Sequence, residues 1–369
     1  MAVNKSHFLN LGFVLEHSLG HITHAQNLKR ALKDRPDIWP TYIDVPFHNT
    51  PGTWSKFPGV RSNWSLRASL CAYLALRPQS QALQAVLFHT QVTSLFSAGL
   101  MRRLPAVISL DATPLQYDAL GRFYGHSPSA HSHIEGIKKR LNVRALTAAR
   151  HIITWSAWTK TSLVADYGMS ADKITVIPPG IDTIQWRFPR EIAHCNQPLH
   201  LLFVGGDFVR KGGDVLLEAF QRLAPSINAV LHLVTNSTDV VEGRNNVCVY
   251  RNIAPNSEKL LQLFRQADIF VFPTRADCLP LAIMEALAAG LPIITTRVGA
   301  LSEAVVHGET GLIVPPNDPE ALTNAINQLA ADPGMRARLG SHARVAALER
   351  FDATTNYRRL LNIVTSIAR

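Results

Sequence analysis

The sequence lacks any apolar run approaching the ~18 residues that a membrane-spanning helix needs. Its longest apolar stretches, such as Leu70 to Leu76, stop at an arginine or a polar residue, which argues against an integral membrane protein. The start, MAVNKSHF, carries no basic segment, apolar h-region and small-residue cleavage site, so no secretory signal is expected there. Cysteine is sparse. The four residues Cys71, Cys195, Cys248 and Cys278 are scattered without a CxxC, which speaks against a disulfide framework and for a reducing compartment. Charged residues make up only 17% of the chain against 47% apolar ones, too hydrophobic a balance for disorder. No DxD triplet occurs, and no internal repeat, heptad array or low-complexity tract. With 369 residues, the chain exceeds one compact core and suits two domains of ordinary size.

What charge there is lies unevenly. Residues 1–190 hold 21 Lys+Arg against 10 Asp+Glu, and the remainder 16 against 17. The net +10 therefore belongs to the N-terminal half. Such asymmetry points to an anionic partner: a phosphorylated substrate, an acidic membrane surface or nucleic acid. Nucleic acid is set aside, because the basic residues are dispersed and no helix-turn-helix, zinc-finger or RNP signature accompanies them. A basic solvated face is the plainer alternative.

The C-terminal half alternates short apolar runs with helical periodicity. Leu199–Val204, Ala229–Thr235, Val247–Tyr250, Ile269–Phe272, Pro292–Thr296 and Gly311–Val314 read as strands. Between them, Gly213–Leu223, Glu258–Ala267, Leu281–Ala289 and Leu301–Val306 read as helices, and Asp318-Pro319-Glu320 opens another. Continuous apolar strands separated by helices predict a parallel sheet covered on both faces. The N-terminal half repeats this more faintly, with strands at Leu9–Leu15, Ala85–Phe88, Ala106–Leu110 and His151–Thr154 and a helix from about Ile22 to Leu32. VIPPGID at 176–182 reads as a linker. Two doubly wound α/β domains facing a central cleft are expected, with ligands beyond the carboxyl ends of the strands.

Two constellations carry chemistry. Gly205-Gly206-Asp207-Phe208-Val209-Arg210-Lys211-Gly212-Gly213 lies between a strand and a helix. Glycines admit close approach to the backbone, and a helix N-terminus with adjacent cations complements a diphosphate. The order is neither a Walker A loop nor GxGxxG. The second is DCLPLAIME at 277–285, after the strand IFVF, with Asp277 and Glu285 eight positions apart. Carboxylates there suit sugar hydroxyls, which are donors in need of strong acceptors. A bland reading makes Asp277 a helix cap and Glu285 a solvated helical residue.

Taken together, FVGGDFVRKGG at 203–213, PTRADCLPLAIMEALAAGLPIITTRVGALSEAV at 273–305 and HGETGLIVPPND at 307–318 resemble the retaining, GT-B-fold glycosyltransferases of family 4. VIPPGID resembles that family's interdomain segment. The ordered match covers roughly residues 176–330. It implies an N-terminal acceptor-side domain at 1–178 joined by a crossover helix at 351–369, and a donor-binding domain at 179–350. It implies a metal-independent, cofactor-free transfer from a nucleotide-diphosphate sugar, with retention, to a glycan, lipid-linked or small-molecule acceptor. A cytoplasmic protein, peripheral on the inner face of an anionic membrane, would follow. Rivals of another kind are a GT-B phosphorylase or epimerase, or a noncatalytic nucleotide-sugar-binding scaffold.

Residue by residue, the resemblance makes Lys211 the diphosphate lysine, Asp277 the holder of donor-sugar hydroxyls and Glu285 the ribose ligand. Gly205 and Leu279-Pro280-Leu281 would line the donor site, and Gly20 would bring its amide to the donor phosphate. Gly206 stands where the family usually has an arginine, and Arg210 is the residue that could supply that cation. The family's acceptor-side histidine has no clear counterpart; His89 and Asp111 are the candidates. His21-x-x-His24 and His131-x-His133 invite a metal, but no third ligand is fixed by spacing, and His24 reads as an ordinary polar helical residue.

Overall fold

The computed structural model describes residues 8–18, 20–46, 63–124, 132–189, 198–223, 227–238, 240, 243 and 245–368, with side chains from 136 onward in the helix that starts at 132. Cys195 and His131 lie outside the described residues, as does the His133 side chain. The chain forms two units. One comprises residues 1–118, 127–180 and 353–369, the other 119–126 and 181–352. Each is built on a six-stranded, wholly parallel sheet.

In the first unit the strands are β1 (Leu9–His17), β2 (Ile38–Pro46), β3 (Ala85–His89), β4 (Ala106–Leu110), β5 (His151–Thr154) and β6 (Ile174–Val176). Their order is β2-β1-β3-β4-β5-β6, so the chain reverses its direction of travel between β1 and β3. The pleat sends alternate side chains to opposite cores. Val14, Val86, Phe88 and Ile108 pack on one face with Ala145 and Leu146. Leu11, Phe13, Leu15 and Leu87 pack on the other with Leu28 and Tyr357, Leu361 and Val364 of the C-terminal helix, Ala353–Ile367. That helix is therefore part of the first unit's core. Fully burying one such Leu or Val contributes about 1.5–3 kcal/mol. Gly180 packs against its start so closely that a β-carbon there would lie 2.3 Å from the Ala353 Cα.

The second unit carries β7 (Leu199–Val204), β8 (Ala229–Val234), β9 (Val247–Tyr250), β10 (Ile269–Phe272), β11 (Ile293–Thr296) and β12 (Gly311–Val314), in the order β12-β11-β10-β7-β8-β9. Its reversal falls between β7 and β10. The IFVF of β10 is wholly buried, as a strand covered on both faces requires. The Asp318 side chain accepts from the Ala321 amide at 2.8 Å and Pro319 occupies the first turn, so that helix starts where its capping residues place it. Both units are Rossmann-like. No helix among the described residues is long and apolar enough to cross a membrane.

Candidate active site

Beyond the carboxyl ends of β7 and β10, at the second unit's reversal point, two loops meet: 205–212 and 273–280. Doubly wound sheets bind ligands at such a crevice. Gly212 holds the first loop in place with φ of 77°, and a β-carbon there would lie 2.0 Å from the Pro273 carbonyl oxygen. Gly205 makes room for the Lys211 stem, since its β-carbon would come within 2.6 Å of the Lys211 Cδ. Nothing lies within 4 Å of where a β-carbon on Gly206 would be, so a side chain at the position where the resemblance expects an arginine would enter open space. Gly212→Ala should both strain the backbone and drive the two loops apart. We expect a loss of at least about 1–3 kcal/mol in urea unfolding; a neutral substitution would mean that the loops do not need this approach.

Asp277 is the hub. Its Oδ2 accepts from Lys211 Nζ at 3.0 Å and lies 3.3 Å from Arg210 Nη1. Lys211 Nζ also sits 4.7 Å from the centre of the Phe272 ring. Both Lys211 and Asp277 keep part of their side chains exposed, 15% and 13%. Arg210, by contrast, is buried and committed. Its Nε donates to Asp207 at 2.9 Å, and its Nη1 to the Ala276 carbonyl at 2.6 Å and the Tyr124 hydroxyl at 3.2 Å. The Tyr124 ring lies 4.4 Å from the guanidinium carbon, which ties the stretch 119–126 to this unit. A cation so engaged positions Asp277 and the Ala276 carbonyl. Arg275 is likewise occupied, in a fork with Asp214 at 2.6 and 2.8 Å.

The helix Leu281–Ala288 begins at Pro280 with no side-chain cap, so Asp277 is not its capping residue. Almost all of this helix is buried, Ile283, Met284, Ala286, Leu287 and Ala288 completely. Leu279 and Leu281 are buried at its entrance. Glu285 is only 6% exposed, so it is not a solvated residue either. No described residue donates a hydrogen bond to its carboxyl group, and burial pushes its pKa up to about 7. A lone buried carboxyl is costly to maintain for the apo fold and is ready to accept hydrogen bonds from a ligand.

The first unit gathers a different set at the ends of β1, β3 and β4. Gly20 is exposed at the start of the helix His21–Leu32, and nothing lies within 4 Å of where its β-carbon would be. Glu16 is buried and accepts from Thr90 Oγ1 at 2.5 Å and from the Ser18 hydroxyl. His21 Nδ1 pairs with His89 Nε2 at 3.0 Å, and His21 Nε2 lies 3.7 Å from Asp111 Oδ2. His89 stacks on Trp155 with ring centres 5.4 Å apart. His24, expected to be an ordinary polar helical residue, is instead 1% exposed between His89, Trp155 and Tyr357, with its Nδ1 3.1 Å from the Tyr357 hydroxyl. Its spacing of four from Leu28, and of eight from Leu32, was the available signal. Burial, and then the neighbouring His21, lower the His24 pKa to about 3; burial also lowers that of His89 and raises that of Asp111. No cluster of three His, Cys, Asp or Glu among the described residues is arranged to hold a metal ion.

Comparison with known proteins agrees with this layout. The family model for Glycosyltransferase Family 4 matches residues 20–185, and that for Glycosyl transferases group 1 matches residues 198–332. The D-inositol 3-phosphate glycosyltransferase of Pseudarthrobacter chlorophenolicus is 31% identical over 222 residues, 55% of this chain and 53% of that one. The chain thus spans about half the length of the curated relatives it matches. Among solved structures, sucrose-phosphate synthase from Thermosynechococcus elongatus superposes with a TM-score of 0.76 at 18% identity, over 97% of this chain and 99% of that one. Anabaena HepE, solved with UDP and glucose, gives 0.70 at 18%, over 97% and 100%. With one family model on each unit, the chain belongs to the GT-B-fold glycosyltransferases of family 4.

Proposed function

We propose that the protein transfers a sugar from a nucleotide-diphosphate donor to an acceptor hydroxyl, with retention of configuration and without a bound metal ion. The observation that carries this reading is the Lys211–Asp277 pair beside the uncapped start of a helix, with the unpartnered Glu285 one turn further in. Negative charge grows on the departing diphosphate as the glycosidic bond breaks. A cation fixed by Gly205 and Asp277, together with helix amides, stabilises that charge without reorganising. Asp277 is then suited to the sugar hydroxyls and Glu285 to the ribose. Retention fits attack on the same face as departure, the leaving phosphate taking the acceptor's proton; no side chain of the donor site offers a better nucleophile. The UDP in the HepE structures supports a nucleotide-sugar donor, and a 30% identical glycogen synthase of Mycobacterium tuberculosis supports a role in glycan, glycolipid or polysaccharide synthesis.

A thermal-shift screen of UDP, GDP and ADP tests the donor half, because a ligand at 100 times its Kd stabilises by about 2.7 kcal/mol. Transfer from the corresponding sugar nucleotides tests the rest. Binding without hydrolysis or transfer from any of them would instead establish the noncatalytic alternative.

The basic half supports reversible binding to an anionic membrane surface. The helix Ser132–Ala148 exposes Ile137, Lys139, Arg140 and Arg144 to solvent. A basic residue near such a surface contributes about 1 kcal/mol and is screened within roughly 8 Å at physiological salt. Cosedimentation with phosphatidylglycerol vesicles should accordingly be strong at low salt and fall steeply as salt rises. Salt-insensitive binding, or none at low salt, removes the membrane from the account.

A further inference from the structure

Arg210 is fixed through its backbone and through its guanidinium, by different partners. Its carbonyl accepts from the Arg275 amide at 2.9 Å and from Thr274 Oγ1 at 3.3 Å, so the main chain of one loop is tied to the other. Its side chain donates from Nε to Asp207 and from Nη1 to the Ala276 carbonyl. Such bonds run in the plane of the guanidinium fork and leave its faces to be packed. Tyr124 supplies that packing. Its ring centre is 4.4 Å from the guanidinium carbon, and its hydroxyl accepts from Nη1 at 3.2 Å. Tyr124 ends the turn Gly121–Tyr124, within a stretch, 119–126, that groups with the second unit although the chain on either side of it belongs to the first. It therefore falls outside the span 179–350 that the resemblance assigns to the donor half.

We propose that Tyr124 is a positioning residue of the donor site: acting through Arg210, it holds Asp277 in the orientation that receives the donor sugar. This rests on the transfer reaction proposed above. Arg210 Nη1 lies 3.3 Å from Asp277 Oδ2, the same oxygen that accepts from Lys211 Nζ at 3.0 Å. Were the guanidinium no longer packed by Tyr124, that oxygen would be left to Lys211 and, at 3.5 Å, to Thr274 Oγ1. The carboxylate would then follow the flexible lysine. A neutral aromatic suits this task. A further carboxylate in its place would offset the guanidinium charge and weaken its pull on Asp277, whereas a ring and a hydroxyl fix the geometry and leave the charge. The Arg210 backbone is tied independently, so loss of Tyr124 should disturb orientation more than fold. Lys211 keeps its place over Gly205, so the diphosphate end should be spared.

The test compares wild type with Tyr124→Phe, Tyr124→Ala, Arg210→Lys and the double variant Tyr124→Ala/Arg210→Lys. Turnover is read as nucleotide diphosphate released from UDP-glucose, GDP-mannose or ADP-glucose, with methyl α-glucoside or myo-inositol as acceptor. Binding is read by calorimetry with UDP, GDP or ADP. Tyr124→Ala should lower kcat by about tenfold or more, because small misplacements of a reacting group are costly. Nucleotide diphosphate affinity should stay within about twofold, the split expected where only the sugar end is disturbed. Tyr124→Phe keeps the ring and loses the hydroxyl, so its kcat should fall by only about threefold. Arg210→Lys removes the planar fork on which Tyr124 acts, so adding Tyr124→Ala to it should cost less than about threefold more. A residue that only supports the fold would cost the same factor in both backgrounds. Turnover of Tyr124→Ala within about threefold of wild type, equal falls in turnover and nucleotide affinity, or a loss undiminished beside Arg210→Lys overturns the assignment while the transfer reaction stands. If Tyr124→Ala does not fold, Tyr124→Phe takes its place in the cycle: a loss that disappears beside Arg210→Lys upholds the assignment, and one that persists overturns it. If wild type releases no nucleotide diphosphate from any donor, the proposed function itself fails and takes this inference with it.

Discussion

Lys211→Ala should lower turnover by a factor of 10² to 10³ while leaving the fold in place. Removing one preorganised charge from the path of a developing anion typically costs about 2.7–4 kcal/mol. The structure says why the fold should survive. The Lys211 stem lies over Gly205 and its ammonium is part-exposed, so no core is opened. Asp277 keeps Arg210 as a partner, so no buried carboxylate is stranded. Thermal unfolding should shift little, and the nucleotide diphosphate should bind more weakly in proportion to the charge lost. Turnover within threefold of wild type would place the diphosphate elsewhere. Arg210→Ala should behave differently. Its guanidinium is tied to Asp207, Asp277, Tyr124 and the Ala276 carbonyl, and breaking a buried pair costs about 3–5 kcal/mol. Its effect should appear first as lost stability.

The second unit was largely legible because most of its strands are buried on both faces and its loops are punctuated by glycine. IFVF and LHLLFV admit no amphipathic alternative, and the observed β7, β9, β10 and β12 have the expected limits. The first unit was harder to read. β2, IWPTYIDVP, went unrecognised because Pro40 and Pro46 interrupt the pattern; both are tolerated because β2 is an edge strand. The helices Trp64–Leu76 and Ala157–Ala165 are short and apolar on most faces, so their period is weak. At the site, residue types were readable but commitments were not. Nothing in KGG tells that Lys211 reaches Asp277, or that Arg210 is occupied by three residues and a backbone carbonyl. The pairing of His21 with Asp111 joins positions ninety apart, a contact that only the sheet order creates.

The two acidic residues of the second unit should respond in opposite directions in stability and unequally in binding. Burial holds the Glu285 carboxyl at about 7 against an ordinary 4.5. Between those pH values the folded protein keeps a proton that the unfolded chain has released, so this group lowers stability as pH rises. The difference amounts to ~3 kcal/mol above pH 7. Gln cannot ionise, so Glu285→Gln should be more stable than wild type at pH 8 and little different at pH 4.5. The same substitution should weaken nucleotide diphosphate by about 1.5–3 kcal/mol for each charged hydrogen bond lost. In wild type that affinity should tighten as pH rises through about 7. Asp277→Asn should do the reverse in stability and differ in binding. It removes the negative charge shared by Lys211 and Arg210 and so lowers stability, leaves nucleotide affinity nearly unchanged, and damages transfer. Because Pro280 and not Asp277 starts the helix, the near-equivalence of Asn and Asp as caps offers no rescue. Urea unfolding at the two pH values, calorimetry with UDP and GDP, and transfer kinetics separate the roles. Equal, small effects of both substitutions would remove this pair from the donor site.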